Sequence, residues 1–164
     1  VIDPVMVAKG GSPLLAPDAV ASLTNELLPL ATIITPNLEE SAALLNKPVA
    51  QNRADMLEQA HQLRSLGVNH VLLKGGHLST PDSPDLLVGP TGEQWFESVR
   101  IDTANTHGTG CTLSSAVAAH LALGCLLPEA ISLSKSYVQG AIAQADRLHI
   151  GHGHGPTHHF HSIW

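Results

Sequence analysis

An α/β protein with a mostly parallel central sheet is the fold class this sequence predicts, on three observations. The apolar runs Thr32-Ile33-Ile34 and Val71-Leu72-Leu73 lack the alternation of a half-wet strand, so they read as strands buried on both faces. Amphipathic stretches of helical period separate the runs, as a layered α/β fold requires. Polar, proline- or glycine-containing turns follow each run, where such folds place their ligands. At 164 residues the chain is long enough to bury a core, and it shows neither an internal repeat nor a linker. Residues 1–164 are therefore read as a single domain.

Val1-Ile2 reads as the end of a strand that enters the turn material Asp3-Pro4 and Lys9-Gly10-Gly11-Ser12-Pro13. Pro17-Asp18 opens a helix whose Val20, Leu23, Leu27 and Leu30 recur at three and four residues. The strand Thr32–Ile34 stops at Thr35-Pro36, and Asn37 caps a short helix carrying Ala42, Ala43, Leu44 and Leu45. Asn52 caps the next helix, with Met56, His61, Leu63 and Leu66, which closes at Gly67. After the strand Val71–Leu73 comes Lys74-Gly75-Gly76-His77. Leu86-Leu87-Val88 and Trp95–Val99 flank Thr91-Gly92, a hairpin pattern. Two helices close the chain, from Cys111 to about Leu123 and from Pro128 to about Leu148.

Composition excludes several classes of function. Hydrophobic residues make up 43% and charged residues 13%, with Gly 14 and Pro 11 near ordinary usage, so the chain is neither collagen-like nor low-complexity. With 14 Asp+Glu against 8 Lys+Arg, neither a nucleic-acid nor an anionic-membrane partner is expected. No apolar run approaches the roughly 18 residues of a spanning helix, and no basic segment or cleavage signal follows Val1. Cys111 and Cys125 lie outside any Cys-x-x-Cys pair, which favours a reducing cytoplasm. Six of the 11 histidines, His149, His152, His154, His158, His159 and His161, crowd the last 16 residues. That tail could ligate a metal, but it is not read as a dedicated metal site.

The chemistry gathers at the strand ends. Asp3 follows the first strand, Asn37 and Glu40 the second and Lys74 the third, while Asn105-Thr106-His107-Gly108-Thr109-Gly110-Cys111 runs into a helix. The expectation is that these ends share one edge of the sheet. Free amides at a glycine-rich helix start make an anion site, and Lys74 adds a mobile cation. The acids suit a divalent metal held by oxygen, mostly through water. Positioning and charge neutralisation are what phosphoryl transfer asks of a protein. Cys111, at the first helical position, would feel the helix dipole, which lowers a thiol's pKa. It could then deprotonate an alcohol or act as a nucleophile, and the spacing leaves both open. Gly108-Thr109-Gly110 is neither a dinucleotide fingerprint nor a Walker loop, and by itself it also fits an ordinary strand-to-helix turn. Lys74 likewise fits a snorkelling surface lysine, and Cys125 and His107 read as structural.

Together these pieces resemble the hydroxymethylpyrimidine/phosphomethylpyrimidine kinases of the ribokinase-like superfamily. The matching segments are Val1–Lys9, Thr35-Pro36-Asn37-Leu38-Glu39-Glu40, Val71–His77, His107–Leu113, Gly153–Pro156 and His159-Phe160-His161, in the family's order. The resemblance implies a three-layer α/β/α fold, of which this chain is the C-terminal portion. It implies ATP and Mg2+ as cofactors and phosphorylation of 4-amino-5-hydroxymethyl-2-methylpyrimidine, then of its monophosphate, for thiamine biosynthesis. It makes Cys111 the base, with Gly108, Thr109 and Gly110 stabilising the transferring phosphoryl group. Lys74, Asn37 and Thr106 would bind the nucleotide, and Asp3 and Glu40 the metal. A homodimer is expected, because a parallel sheet that lacks its first strands exposes an edge. Family members extend further on the amino-terminal side and carry much of the pyrimidine pocket there, so little or no activity is expected of these residues alone. Two alternatives carry different chemistry: a cysteine-type pyridoxal kinase, and a non-catalytic module that binds pyrimidine phosphate.

Overall fold

In the computed structural model, which describes residues 1–6 and 14–163, the apolar runs lie side by side within the unit Val1–Arg100. Ile2 bridges Ile34 and Ile34 bridges Val71, both in parallel. Thr35 donates its N–H to Ile2 O at 3.0 Å, and Leu72 donates to Ile34 O at 2.9 Å. Ile33, Ile34, Val71, Leu72 and Leu73 are all 0% exposed, the two-sided burial that their unbroken apolar sequence predicts. The turn expected over Lys9–Pro13 lies outside the described residues.

Strand β1 (Val71–Lys74) continues into an antiparallel meander. It pairs with β2 (Asp85–Gly89) in the register Val71↔Val88, and β2 pairs with β3 (Gly92–Phe96). A hairpin is present as expected, but it turns at Pro90-Thr91 with Gly89 opposite Gly92, and its second strand is Gly92–Phe96 rather than Trp95–Val99. Gly92 sits at φ 121°, a conformation open to glycine. β3 shows Glu93 and Gln94 to solvent, polar side chains that discourage further strand pairing.

Three helices accompany this sheet: α1 (Pro17–Ser22), α2 (Leu38–Leu45) and α3 (Arg53–Arg64). Asn37 and Asn52 cap the latter two as expected, each accepting the N–H three residues on. α1 departs from its sequence pattern. It widens into a π turn at Leu23–Leu27 and tightens into a 3-10 turn at Leu28–Leu30. The extra residue in the π turn rotates the following side chains, and Pro29 has no N–H to restore the helical ladder. Leu28, outside the expected stripe, is thus wholly buried while Leu30 is 80% exposed. Leu28, Ile34, Leu38, Met56, Leu63, Val71, Leu73 and Leu86 share one core.

The second unit, Ile101–Trp164, packs α4 (Thr109–Ala122) against α5 (Leu127–Ala143). Leu113 and Val117 of α4, and Ala130, Ile131, Val138 and Ala141 of α5, are buried. α5 ends sooner than its sequence suggests, passing into a 3-10 turn at Ala145–Arg147. The chain then returns as Gly155–His158, where His107 and Pro156 form a parallel bridge and His158 N–H donates to Ala141 O at 2.9 Å. Among the described residues, no helix is long and apolar enough to cross a membrane.

Candidate active site

Within Val1–Arg100 isolated parallel bridges, rather than full strands, bring the segments after Ile2 and Ile34 beside the end of β1. Asn37 bridges Lys74, and Lys74 donates its N–H to Pro36 O at 2.9 Å. The same register sets Asp3 beside Thr35 and Lys74: Lys74 Nζ lies 2.8 Å from Asp3 Oδ1, which also accepts the Thr35 hydroxyl at 2.9 Å. The Lys74 and Asp3 side chains are 13% and 12% exposed, which sets aside the surface-lysine alternative. A pair so little solvated loses much of the dielectric screening that makes exposed pairs weak.

Glu40 completes this cluster through a reciprocal cap. Asn37 Oδ1 accepts the Glu40 N–H at 2.8 Å, and Glu40 Oε2 accepts the Asn37 N–H at 2.7 Å. Burial raises the Glu40 carboxyl above the ordinary glutamate range, with nearby Asp3 and Glu39 adding to the rise. Lys74 and the Asn37 amide oppose it. Asp3, Asn37, Glu40 and Lys74, singled out from the sequence, thus stand together with one member not singled out, Thr35. Its sequence signals were a hydroxyl placed between a buried apolar run and a proline, and its place at the head of the segment Thr35–Glu40. Gly75 is fixed next to this cluster, since a Cβ there would meet Pro84 O at 2.1 Å.

Within Ile101–Trp164 the loop expected to hold an anion leads into α4 through Gly108, whose φ of 84° lies in the left-handed region that favours glycine. The helix begins at Thr109, so Cys111 is its third residue rather than its first. The left-handed Gly108 is itself the cap, so the chain enters the helix two residues earlier than its sequence suggests. Cys111 stays in the first turn and is exposed. The first bond into the helix runs from Thr112 N–H to Gly108 O at 2.9 Å. The amides of Gly110 and Cys111 take no backbone partner among the described residues, as an anion nest requires. The Thr109 hydroxyl donates to Thr106 O at 2.8 Å, which folds Thr106 back onto the helix start.

One unit thus gathers a lysine and two carboxylates, and the other has a glycine-capped helix start; the fold of the chain is ribokinase-like α/β. Comparison with solved structures agrees: the chain is similar to Bacillus subtilis pyridoxal kinase in complex with ADP at 39% identity and a TM-score of 0.88, covering 98% of this chain and 60% of that one. The chain belongs to the phosphomethylpyrimidine kinase family, which it matches over residues 1–158. It is 52% identical to the Escherichia coli hydroxymethylpyrimidine/phosphomethylpyrimidine kinase over all 164 residues, spanning 62% of that protein's length. It is 47% identical to the thiamine biosynthesis bifunctional protein ThiED of Geobacter sulfurreducens, over 97% of this chain and 32% of that protein.

Proposed function

We propose that this protein transfers phosphoryl groups from ATP to 4-amino-5-hydroxymethyl-2-methylpyrimidine and then to its monophosphate, supplying the diphosphate for thiamine biosynthesis. The observation that carries this reading is the Gly108–Cys111 helix start, where the thiol is exposed and the Gly110 and Cys111 amides take no backbone partner among the described residues, in a chain of this family. Cys111 is the group that takes the proton of the substrate hydroxymethyl group. The freed oxygen attacks the γ-phosphorus, the bond to the β-phosphate oxygen breaks, and ADP leaves with that electron pair. The amides of Gly108, Thr109 and Gly110 would stabilise the transferring group at the positive end of the α4 dipole, Thr109 giving up the 3.4 Å bond that its N–H donates to Thr106 O.

Lys74, Asn37 and Thr106 serve the nucleotide phosphates in this reading. The oxygen-only pair Asp3 and Glu40 fits a hard cation such as Mg2+, with water and phosphate oxygens completing its shell. Bound there, the ion would neutralise phosphate charge. The single-domain reading of 1–164 belongs to this proposal, supported by a family match over residues 1–158 that spans parts of both compact units. A cytoplasmic location is proposed with it, consistent with the free thiols of Cys111 and Cys125. A homodimer is proposed as the assembly, to be checked by sedimentation.

The test is production of the pyrimidine diphosphate from ATP by the polypeptide as encoded, followed by mass spectrometry. Replacing Cys111 with Ala is expected to lower turnover by about two to four orders of magnitude, the usual contribution of a general base. Unchanged turnover at saturating substrate would exclude that role. The likeness to a pyridoxal kinase supports a second reading, in which the accepted alcohol is pyridoxal. Competing the two alcohols for a limiting ATP pool decides between them. A protein that binds the pyrimidine phosphate but transfers nothing would be the non-catalytic module instead.

A further inference from the structure

The loop that carries the helix start is held from one side by a hydrogen-bonded junction that none of the roles above uses. Asn105 stands at its centre. Its Oδ1 accepts the Gly155 N–H at 3.0 Å, and its Nδ2 donates to Asp146 Oδ1 at 2.8 Å. Asp146 also accepts the Thr103 hydroxyl, and Thr103 Oγ1 in turn accepts the Asn105 N–H at 3.1 Å. Beside it the returning chain zips onto the loop: His107 N–H donates to Gly155 O at 3.0 Å and Thr157 N–H to His107 O at 3.3 Å. The fit is close at Gly155, where a Cβ would lie 2.2 Å from Asn105 Oδ1. Gly108 follows His107 directly, so the direction in which the chain enters the nest is set by this junction.

We propose that Asn105, with Asp146 and the Gly155–Thr157 segment, is a positioning element that holds the phosphate nest in its working geometry. The proposal builds on the phosphoryl-transfer reading of that nest. An amide side chain is needed at 105 because it must accept on one side and donate on the other. Asn105→Asp alone would set two carboxylates against each other at hydrogen-bond distance. Asn105→Asp combined with Asp146→Asn would restore donor to acceptor at both contacts. Nests bind through amides aimed at one point, so a displacement of about 1 Å can cost on the order of a hundredfold in rate.

Two readouts test this in the polypeptide as encoded, with Cys125→Ser making Cys111 the sole thiol within these residues. The first is amide hydrogen exchange. In Asn105→Asp, the His107 and Thr157 amides are expected to exchange about tenfold faster or more, while the α5 interior keeps its protection. Exchange at the original rate would overturn the junction. The second is alkylation of Cys111 in the presence of a non-hydrolysable ATP analogue. The concentration giving half-protection is expected to rise about tenfold in Asn105→Asp and to recover in the exchanged pair Asn105→Asp/Asp146→Asn. Faster exchange with unchanged half-protection, or no recovery in the exchanged pair, would overturn the positioning role. If the analogue fails to protect Cys111 even in the parent protein, the phosphate-site reading falls and the positioning role falls with it.

Discussion

Glu40 shows at the scale of one residue how a cap and a candidate metal ligand compete. Its carboxyl is buried and its proton affinity is raised, so the folded state holds that proton more tightly than the unfolded chain does. As pH rises from the ordinary glutamate range through the raised folded value, the unfolded state loses its proton first and stability falls. Below the ordinary range both states are protonated and this penalty is absent. Glu40→Gln keeps an oxygen that can accept the Asn37 N–H but removes the buried charge. Its melting temperature is therefore expected to equal or exceed that of the parent at neutral pH, with the gain fading on acidification. Calorimetry against pH checks this, and a variant clearly less stable at neutral pH would contradict it. Magnesium-dependent turnover should fall in the same variant.

At the scale of an element, the connection between β1 and β2 is organised by one arginine from beyond β3. Arg100 donates to the carbonyl oxygens of Gly76 at 2.7 Å, Leu78 at 2.7 Å, Thr80 at 2.9 Å and Asp82 at 3.1 Å. A guanidinium can do this because its fork presents five donors in a fixed plane, whereas an ammonium is a point charge. The loop it gathers begins directly after Lys74 and Gly75. Arg100→Lys is therefore expected to lower the melting temperature by a few degrees and to open the segment 76–82 to limited proteolysis. An unchanged cleavage pattern would show that the loop holds its shape without the arginine.

At the scale of the molecule, proposed nucleotide binding should be visible as stability. A ligand that binds only the folded state at about a hundred times its dissociation constant adds roughly 2.7 kcal/mol. A non-hydrolysable ATP analogue with Mg2+ is thus expected to raise the melting temperature, with a smaller rise in Lys74→Ala. Equal shifts in the two proteins would remove Lys74 from the nucleotide site. The two compact units differ in what stabilises them. Val1–Arg100 is built on sheet residues with no exposure, while Ile101–Trp164 joins two helices and ties its last segment back by backbone bonds.

Local chemistry made much of this protein legible from its sequence alone. Unbroken apolar runs have few places to go except between two layers, so the full burial of Ile33-Ile34 and Val71–Leu73 was legible in the sequence. The Asn37 cap, a hairpin turn near Thr91 and a glycine-led helix start depend on residues within a few positions of one another, so a sequence displays them. Even so, the pattern set the start of α4 two residues late and β3 at Trp95–Val99 instead of Gly92–Phe96. Interactions across long separations were decided by the tertiary structure. Asp3 meets Lys74 only because a parallel register aligns their strands, and Asn105 meets Gly155 only because the chain returns past α5. The π turn that buries Leu28 instead of Leu30 belongs to the same class, since no propensity in Leu23–Leu27 demands it. Spacing specifies which groups neighbour one another along a helix or turn. Which groups come from far along the chain to share a hydrogen bond depends on strand register and on where the chain turns back, and those are properties of the folded whole.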